Sequence, residues 1–490
     1  MSIQSKAATC ILVASLTACT VGPDFVKPDA AVPEDWTTWR SGDESLHVPV
    51  TVNESLPPDW WRAFNDPVLD RLQQRAIEGS PDLLTATLHF AQARQQRIGV
   101  ASQQLPGVRA GGDANRQAQS ENNSGMRLID AIGLPNRDQL AKVIAQPFNY
   151  YQVGFDASWE IDLWGRVRRS IESADADVAR QEALLDLARL GLASDVARNY
   201  FELRNTQRQI VLIREDIATL EERLGLLQAR AKGGLIDYVD VERQLADTAA
   251  LKSQLPGLLA QEAVNENRIA LLLGEHPGAL RRDLAPAGAE SEAALPDLAL
   301  GLPSEVARRR PDIRAAEARL QGATAEIGVA TANLYPSVTL GAHAGYDSYL
   351  AGQFLDSASQ AWFGGLSVNL PLFDHGRRKS EVELSRLRQQ EAAVDYQRTV
   401  LKAWQEIDDA LNGYSAERQQ LALLRTRVES TGEAYKLVQA KYEAGTVDFV
   451  AVIDSQRGHV QARRDLAASL GRLSIWFVTV NKAIGNTQPR

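Results

Sequence analysis

The side chains with which this chain of 490 residues could do covalent or metal chemistry are few and scattered. It has two cysteines and six histidines. The histidines show no metal-ligand spacing, no Ser/His/Asp arrangement has a convincing spacing, and the phosphate-binding pattern G-x-x-x-x-G-K-[ST] does not occur. We therefore expect no enzyme, no metal and no bound cofactor. Any energy for transport would have to come from a partner protein.

Cys19 ends the N-terminal stretch MSIQSKAATCILVASLTAC, in which Lys6 precedes a short apolar run. A basic start, an apolar core and small residues before cleavage are typical of a secretory signal. The run is shorter than the ~20 residues that span a bilayer. Leu16 to Cys19 resembles a bacterial lipobox, which implies a signal peptide at 1–18 and an N-acyl, S-diacylglycerol lipid on Cys19. Thr20 stands where an inner-membrane retention signal has aspartate. The alternative is an ordinary signal peptide with an incidental cysteine.

Composition excludes several classes of function. The formal net charge is −9 and the basic residues do not cluster, so we expect no nucleic-acid binding. No segment has the pattern of a transmembrane helix, so a membrane would have to be crossed by strands. Removal of the leader would also remove Cys10 and leave no thiol for a disulfide or for redox chemistry.

The chain contains two copies of one pattern. The stretch IGVASQQLPGV (98–108) recurs as IGVATANLYPSV (327–338), and three other short blocks recur in the same order. Gly165 and Gly376 are 211 residues apart, as are Gly234 and Gly445. Such self-similarity indicates two structural repeats. Their predicted bounds are 81–273 and 303–484.

Alternation with a period of two predicts two strands in each repeat. In YYQVGFDASWEI, large apolar residues occupy the odd positions and mostly polar residues the even ones. Each predicted strand has about the ten residues that a tilted strand needs to cross hydrocarbon. A half-buried sheet in a soluble domain would give the same alternation. The predicted strands are 107–118, 150–161, 336–346 and 362–371.

Two very long helices are predicted after the strands, at 166–233 and 377–444. Both segments lack proline and repeat apolar residues every seven positions, which is typical of coiled-coil packing. A helix of ~67 residues is ~100 Å long. Shorter helices are predicted at 82–104, 236–273, 312–334 and 448–484.

Topology then indicates an assembly. Two repeats supply four membrane-type strands, and an open sheet edge is not tolerated in lipid. Three copies would supply twelve strands. This is an even number, and a barrel of this size is wide enough to leave a channel. We therefore predict a mixed α and membrane-β fold, a homotrimer whose shared twelve-stranded β-barrel continues as a long helical tube. The segment 119–149 would be an outward-facing loop.

Six ordered blocks of the sequence carry a resemblance to a known family. They are VGPDFVKP (21–28), DWWRAFNDPVLDRL (59–72), LPSEVARRRPDIRAAEARL (302–320), NLYPSVTLGA (333–342), LPLFDHGRR (370–378) and FVAVIDSQR (449–457). They resemble the TolC family of outer-membrane efflux proteins, and more closely its lipoprotein branch, the NodT type that serves resistance-nodulation-division pumps. This resemblance implies a trimer in the outer membrane with a periplasmic helical barrel. It also implies a periplasmic adaptor protein and an inner-membrane pump as partners.

The remaining segments have simpler predicted roles. Residues 19–80 would form a lipid-anchored segment that packs on the helical barrel, with Trp60 and Trp61 holding it there. A binding platform is the less favoured reading of the two tryptophans. The segment 274–302 is rich in Pro, Gly and Ala and would link the repeats, and 485–490 would be a tail.

The resemblance also implies a periplasmic gate. The family closes this end with an apolar ring and a ring of aspartates, which correspond by motif position to Val450 and Asp454. These two residues are four apart and share one helix face. Arg457 would restrain the closed state through an ion pair, while Arg243 occupies the place equivalent to Asp454 in the first repeat. The alternative is a solvated surface pair.

Two tip turns are predicted between each long helix and the next one. Gly234 and Gly445 would end the long helices, and Asp237 and Asp448 would cap the helices that follow. The functional interpretation is a rim on which the adaptor docks. Capping alone would also explain both aspartates.

Together these features predict a passive outer-membrane channel of a tripartite pump that exports small molecules such as drugs or toxic compounds. One alternative is a type I protein-secretion outlet, and a less favoured one is a soluble periplasmic coiled-coil scaffold. The cargo is left open by the sequence.

Overall fold

The computed structural model describes residues 20–28, 39–47, 59–122, 126–133, 136–286, 298, 300 and 303–486. Cys19 and the predicted signal peptide lie outside the described residues. The chain forms two compact units, and each unit takes segments from both sequence repeats. The first unit comprises Met1–Val26, Ala93–Asp177 and Leu320–Glu391, and the second comprises Lys27–Gln92, Val178–Arg319 and Ala392–Arg490.

Four antiparallel strands form one sheet in the first unit, and their order in the sheet is their order in the chain. The first and last strands are therefore its edges, and the connection between the two central strands, residues 162–336, runs through several helices. The observed bounds differ from the predicted ones by at most two residues at either end. The strands are β1 (Gly107–Gln117), β2 (Phe148–Ile161), β3 (Ser337–Ser348) and β4 (Gln360–Asn369).

The two faces of this sheet differ in chemistry. Opposite Ala110 on β1 lies Phe155 on β2, and opposite Phe155 lies Ala344 on β3, so one face is apolar across the strands. The next row includes Arg109 on β1 and Asp156 on β2, and it lies on the polar face. The period-two alternation seen in the sequence therefore survives in the register of the sheet.

Eleven α-helices are present in the described part of the chain. Trp60–Phe64 forms a short 3-10 helix before the first of them. The helices are α1 (Pro67–Gly79), α2 (Pro81–Ala101), α3 (Met126–Ile132), α4 (Arg137–Ile144), α5 (Arg166–Lys232), α6 (Tyr238–Lys252), α7 (Leu255–Leu272), α8 (Pro303–Arg309), α9 (Pro311–Ala332), α10 (Arg377–Glu443) and α11 (Phe449–Ala483).

The helices α5 and α10 each have 67 residues and begin 211 residues apart, at Arg166 and Arg377. In the second unit eight of the apolar positions spaced by seven are buried, so side-chain packing stabilises these parts of the two long helices. The buried positions are Val196, Leu203, Ile210, Ile217, Val400, Ile407, Tyr414 and Leu421.

One predicted helix is wrong in its extent. The segment 236–273 is two helices, α6 and α7, with a break at Ser253 and Gln254. Pro256 lies in the first turn of α7. Proline lacks the amide proton that would bond to the fourth preceding carbonyl, and its ring clashes with that carbonyl, so a helix is kinked or broken there, and proline is favoured in a first turn.

A second difference concerns the predicted loop 119–149. It contains α3 and α4, and β2 already begins at Phe148. Arg137 on α4 pairs with Asp130 on α3 at 3.0 Å, and Ala141 on α4 is buried. The insertion is therefore a small folded element on the connection between two strands.

The N-terminal part of the chain contributes to the core of the second unit. Trp60 is fully buried, and its ring lies 6.3 Å from that of Phe477 on α11. Phe64 packs against Phe477 at 5.1 Å and against Phe201 on α5 at 4.5 Å. Buried aromatic pairs of this kind stabilise by ~1 kcal/mol beyond the area that they bury. The tryptophan segment is thus anchored to α5 and α11.

No helix in the described part of the chain is both long enough and apolar enough to cross a membrane.

Candidate functional site

The second unit contains two equivalent turns, one after each of the long helices α5 and α10. Gly234 follows α5 with φ +72°, and Gly445 follows α10 with φ +71°. After Gly234, the amide of Leu235 donates to the carbonyl of Arg230 at 3.0 Å. The equivalent bond in the second turn is 2.9 Å long. Only glycine adopts this left-handed conformation without strain, so the two glycines end the long helices where the sequence predicts.

Each turn leads into a capped helix. Asp237 accepts a hydrogen bond from the amide of Val239 at 3.0 Å, and Asp448 accepts one from the amide of Ala451 at 3.0 Å. A carboxylate at this position also interacts favourably with the positive end of the helix dipole. Both aspartates therefore cap helices, and capping uses one oxygen of each carboxylate.

The first turn exposes apolar side chains. Leu235 is 76% exposed. On α6, Tyr238 is more than half exposed and Val239 is half exposed. Three large apolar side chains together on a turn are costly to leave in water, and such patches mark interaction surfaces. Turn and cap chemistry in the sequence predicts Gly234 and Asp237 here but gives no signal for these three exposed neighbours.

The predicted gate residues lie on the first turns of α11. Val450 is half-buried, and the side chains of Asp454 and Arg457 are exposed. The guanidinium of Arg457 is 3.7 Å from the carboxylate of Asp454. A shorter contact joins Arg457 to Asp247 on α6, where Nη2 donates to Oδ1. The structure therefore pairs two of the three predicted residues, Asp454 and Arg457, and adds Asp247 from the first repeat, which is not among the predicted residues.

Asp247 could have been found from the helical pattern around it. On α6 the side chains of Val241, Gln244, Thr248 and Leu251 are buried. Asp247 lies beside this buried stripe, and only 15% of its side chain is exposed. A carboxylate so placed needs a cationic partner from a neighbouring helix, because its desolvation is otherwise uncompensated.

An apolar cluster supports the charged residues of this end. Its members come from the end of α5, from α6 and from the first turn of α11, so the two capped helices pack on a common core. The buried members are Leu227, Ala231, Val241, Phe449, Val452 and Ile453.

A second polar set lies further along α11. Arg223 on α5 donates to the side chain of Gln456 and to the hydroxyl of Tyr435 on α10. The ring of Tyr435 in turn stacks on His459, with ring centroids 6.3 Å apart and planes inclined by 9°. These bonds tie α5, α10 and α11 together next to the gate residues.

Two titratable side chains near this polar set, His459 and Asp216, have shifted pKa values. Burial lowers the pKa of His459, and the positive charge of Arg463 lowers it further. Burial raises the pKa of Asp216, while Arg463, whose guanidinium is 3.4 Å away, opposes that rise. The neutral form of His459 is thus favoured in the fold.

The chemistry available in these groups is charge pairing and helix capping. Across the residues that the structure describes, no three His, Cys, Asp or Glu side chains form a cluster that could hold a metal ion. The acidic groups are instead paired individually with arginines of neighbouring helices, as Asp247 is with Arg457 and Glu215 with Arg463 at 2.9 Å.

Comparison with known proteins places this geometry in a family. Residues 72–275 and 302–486 match the model of the family described as outer membrane efflux protein. The chain belongs to this family. The two matched segments contain both sequence repeats, and the gap between them falls in the predicted linker. The TolC-like resemblance inferred from the sequence is confirmed.

Several related proteins are similar in sequence to this chain over nearly its whole length. Outer membrane protein OprJ of Pseudomonas aeruginosa is 29% identical over 448 residues, which are 91% of this chain and 88% of that protein. The pyoverdine export outer membrane protein OpmQ of Pseudomonas putida is 31% identical over 435 residues, 88% of this chain and 89% of that one. Nodulation protein T of Rhizobium leguminosarum bv. trifolii is 26% identical over 96% of this chain and 95% of its own.

Solved structures show the same fold. The outer-membrane channel OprN superimposes with a TM-score of 0.84 at 30% identity, over 96% of this chain and 99% of that chain. The open state of the MtrE outer membrane channel of Neisseria gonorrhoeae has a TM-score of 0.76 at 25% identity, over 95% and 98%. The protein is therefore a TolC-like outer-membrane efflux channel, and the predicted TolC-like fold, efflux function and outer-membrane location are confirmed.

Proposed function

We propose that this outer-membrane efflux protein works as a homotrimer, a passive conduit that exports small molecules from the periplasm. The observation that carries the proposal is the open sheet: β1 and β4 are edge strands, and every strand of the sheet comes from one chain. Unpaired edges are not tolerated in a bilayer. Pairing β1 of one copy with β4 of the next satisfies both edges, and three copies close a twelve-stranded sheet.

Partners complete the conduit. The chain contains no nucleotide-binding pattern, so a periplasmic adaptor and an inner-membrane pump supply the energy. The exposed Leu235, Tyr238 and Val239 beside the first turn suit an adaptor contact, since an apolar patch of this kind is favourably buried by a partner. Under this proposal Gly234, Gly445, Asp237 and Asp448 give the docking rim its shape.

The gate is proposed to consist of Val450 and Asp454, restrained by Arg457. Three copies would bring three Asp454 carboxylates towards one axis, and like charges there repel. The contact of Arg457 with Asp247 on the neighbouring helix supports a restraint, because it ties α11 to α6 within each copy. Docking of the adaptor at the nearby turns would shift α6 and release this tie.

Lipid anchoring of Cys19 is part of the proposal. Thr20, the residue that follows it, packs against Gly165 just beyond the end of β2, where a Cβ would collide with it. The amide of Val21 donates to the carbonyl of Trp164 at 3.2 Å, and Asp24 pairs with Arg169 at 2.6 Å. The chain therefore leaves residue 20 close to the end of a membrane strand, a position from which acyl chains on Cys19 would reach the bilayer.

Three measurements test the conduit. Purified protein should migrate as a detergent-stable trimer that heating dissociates, and it should form ion-conducting channels in planar bilayers. Deletion of the gene should raise the susceptibility of the cell to several small toxic compounds, with restoration by the wild-type chain. A monomer that forms no channels would remove the proposal. A deletion that abolishes secretion of a protein and leaves susceptibility unchanged would favour the type I secretion outlet.

The names of relatives describe diverse small cargo, which favours small molecules over protein. OpmQ is named for pyoverdine export, and relatives in Pseudomonas putida are named as toluene and antibiotic efflux pump outer membrane proteins. A variant with Leu235 and Tyr238 both changed to aspartate should lose adaptor binding while it still forms trimers. Leu350→Asp, an exposed leucine beyond β3, is the matched control.

A further inference from the structure

The polar face of the sheet carries one row of chemically different side chains across all four strands. Arg109 on β1 lies opposite Asp156 on β2, Asp156 opposite His343 on β3, and His343 opposite Phe363 on β4. Residues that face each other in this way share one face of a sheet. Neighbouring strands lie about 4.8 Å apart, so the four side chains span about 14 Å. We name them the mixed row.

The rows on either side of the mixed row are almost bare. On one side the aligned residues are Gly111, Gly154, Gly345 and Ala361, and on the other they are Gly107, Ser158, Gly341 and Gly365. The mixed row therefore has no bulky neighbours on this face, and a flat molecule can reach its exposed members, Asp156 and Phe363.

Two of its members form a fixed pair. Nδ1 of His343 donates to Oδ1 of Asp156 at 2.8 Å, and only 10% of the histidine side chain is exposed. The imidazole lies over Gly154, where a Cβ would come within 2.8 Å of Cε1. The adjacent glycine is thus needed for the orientation of the ring.

An aromatic surface continues from this pair. The rings of His343 and Phe363 are stacked, with centroids 5.8 Å apart and planes inclined by 16°. Phe363 is 62% exposed. A large apolar ring exposed on the polar face of a sheet is unexpected for packing alone and points to a ligand or partner.

A negative charge adjoins the aromatic surface. The carboxylate of Asp156 is 54% exposed, and its Oδ2 has no hydrogen-bond partner in the described part of the chain. A flat molecule stacked on the exposed ring of Phe363 therefore extends past His343 towards this free carboxylate oxygen. Ring faces and carboxylates both attract cations. Arg109, on the far side of Asp156, repels them.

We propose that the mixed row is a binding site for flat aromatic cations of about three fused rings, a contact that outgoing solutes make on the wall of the conduit. The assignment of this face to the wall of a conduit rests on the proposed function. The binding site itself is complete within one copy, because all four residues belong to one chain.

The test uses proflavine, a flat three-ring cation, and the full-length protein in lipid nanodiscs, with fluorescence anisotropy as the readout and empty nanodiscs as the blank. Asp156→Asn should weaken binding about tenfold, since a charge-assisted contact is lost. Phe363→Ala should weaken it about threefold, the size of an exposed cation–π contact. Asp156→Glu should restore most of the affinity, and Arg109→Gln should increase it.

Matched controls lie in the same sheet. Phe155→Ala removes an aromatic ring that is also 62% exposed but lies on the apolar face, and Asp113→Asn removes a carboxylate from the polar face outside the mixed row. Neither change should alter the affinity for proflavine. The anion 2-naphthalenesulfonate should bind more weakly than proflavine to the wild type.

Equal affinity of wild type and Asp156→Asn would overturn the site, as would a loss at Phe155→Ala equal to that at Phe363→Ala, which would indicate partition into lipid. Tighter binding of the anion would also overturn it. The oligomeric state, measured on the same preparations, tests the proposed conduit separately from the binding site. A monomer that binds proflavine through Asp156 would remove the conduit and leave the site. A conducting trimer with no such binding would remove the site and leave the conduit.

Discussion

Arg457 on α11 donates a charged hydrogen bond to Asp247 on α6, although 210 positions separate the two residues in the chain. The same arginine lies 3.7 Å from Asp454 on its own helix. One guanidinium thus faces two carboxylates, and the contact between helices is the shorter one. Any outward movement of α6 relative to α11 must break it.

Release of this contact should open the channel. We expect Asp247→Asn to raise the single-channel conductance in planar bilayers, since the ion pair is lost while the side-chain shape is kept. The double change of Asp454 and Arg457 to alanine should have a larger effect, because it also removes the carboxylates at the axis. Asp195→Asn breaks a different surface pair, with Lys482, and should leave conductance unchanged. Unchanged conductance in the first two variants would remove the gate assignment.

The second turn depends on a left-handed glycine. Gly445→Ala should destabilise the turn by about 1 kcal/mol, because a Cβ strains a residue with φ +71°. Gly458→Ala is the opposite control: it lies inside α11 with open space around the added Cβ, so alanine should stabilise by up to about 1 kcal/mol. Hydrogen exchange of the peptides around each site measures both. Equal exchange in the two variants would contradict the role of Gly445.

Capping and docking by Asp448 can be separated. Asp448→Ala should speed hydrogen exchange in the first turn of α11, by the equivalent of about 1 kcal/mol, because the amide of Ala451 loses its acceptor. Asp448→Ser keeps a capping oxygen and removes the charge, so exchange should return almost to the wild-type rate. Adaptor affinity then discriminates: recovery in the serine variant indicates capping alone, and continued loss indicates that the carboxylate itself takes part in docking.

His459 should make stability depend on pH. Its pKa is lowered by burial and by Arg463, so between the lowered value in the fold and the usual value near 6.5 the unfolded chain binds more protons. Stability from this group therefore rises as pH increases through that window and is lost as pH falls. His459→Gln should reduce the rise of the guanidinium midpoint between pH 5 and 7.

Tyr435→Phe serves as the comparison for that measurement. It keeps the ring stacked on His459 and removes only the hydroxyl that accepts from Arg223. Its midpoint should fall at every pH while the slope with pH stays that of the wild type. An unaltered slope in His459→Gln would show that another group is responsible.

Much of the fold was predictable because the signals are local. Alternation placed all four strands within two residues, and heptad spacing placed the 67-residue helices almost to their ends. The break between α6 and α7 was equally local, and Pro256 marks it in the sequence. It was missed because the apolar pattern continues on both sides of the proline.

The site was predictable only in part. Gly234, Gly445, Asp237 and Asp448 act within a few residues of themselves, so turn and cap chemistry identifies them. The helical pattern shows that Asp247 needs a cationic partner, but its pairing with Arg457 does not follow from any such rule. Asp247 belongs to the other repeat, and nothing in the residues around it names the helix on which its cation lies.

By itself, the sequence determined the lengths and kinds of the elements, the two repeats, the helix ends and the two faces of the sheet. These depend on periodicity and on interactions within a turn or two of the chain. Only the tertiary structure decided which side chains meet: Arg457 with Asp247, and Asp156 with His343. The physical reason is that register and helix packing select such pairs from many candidates of similar chemistry, and the selection depends on the summed contacts of whole elements.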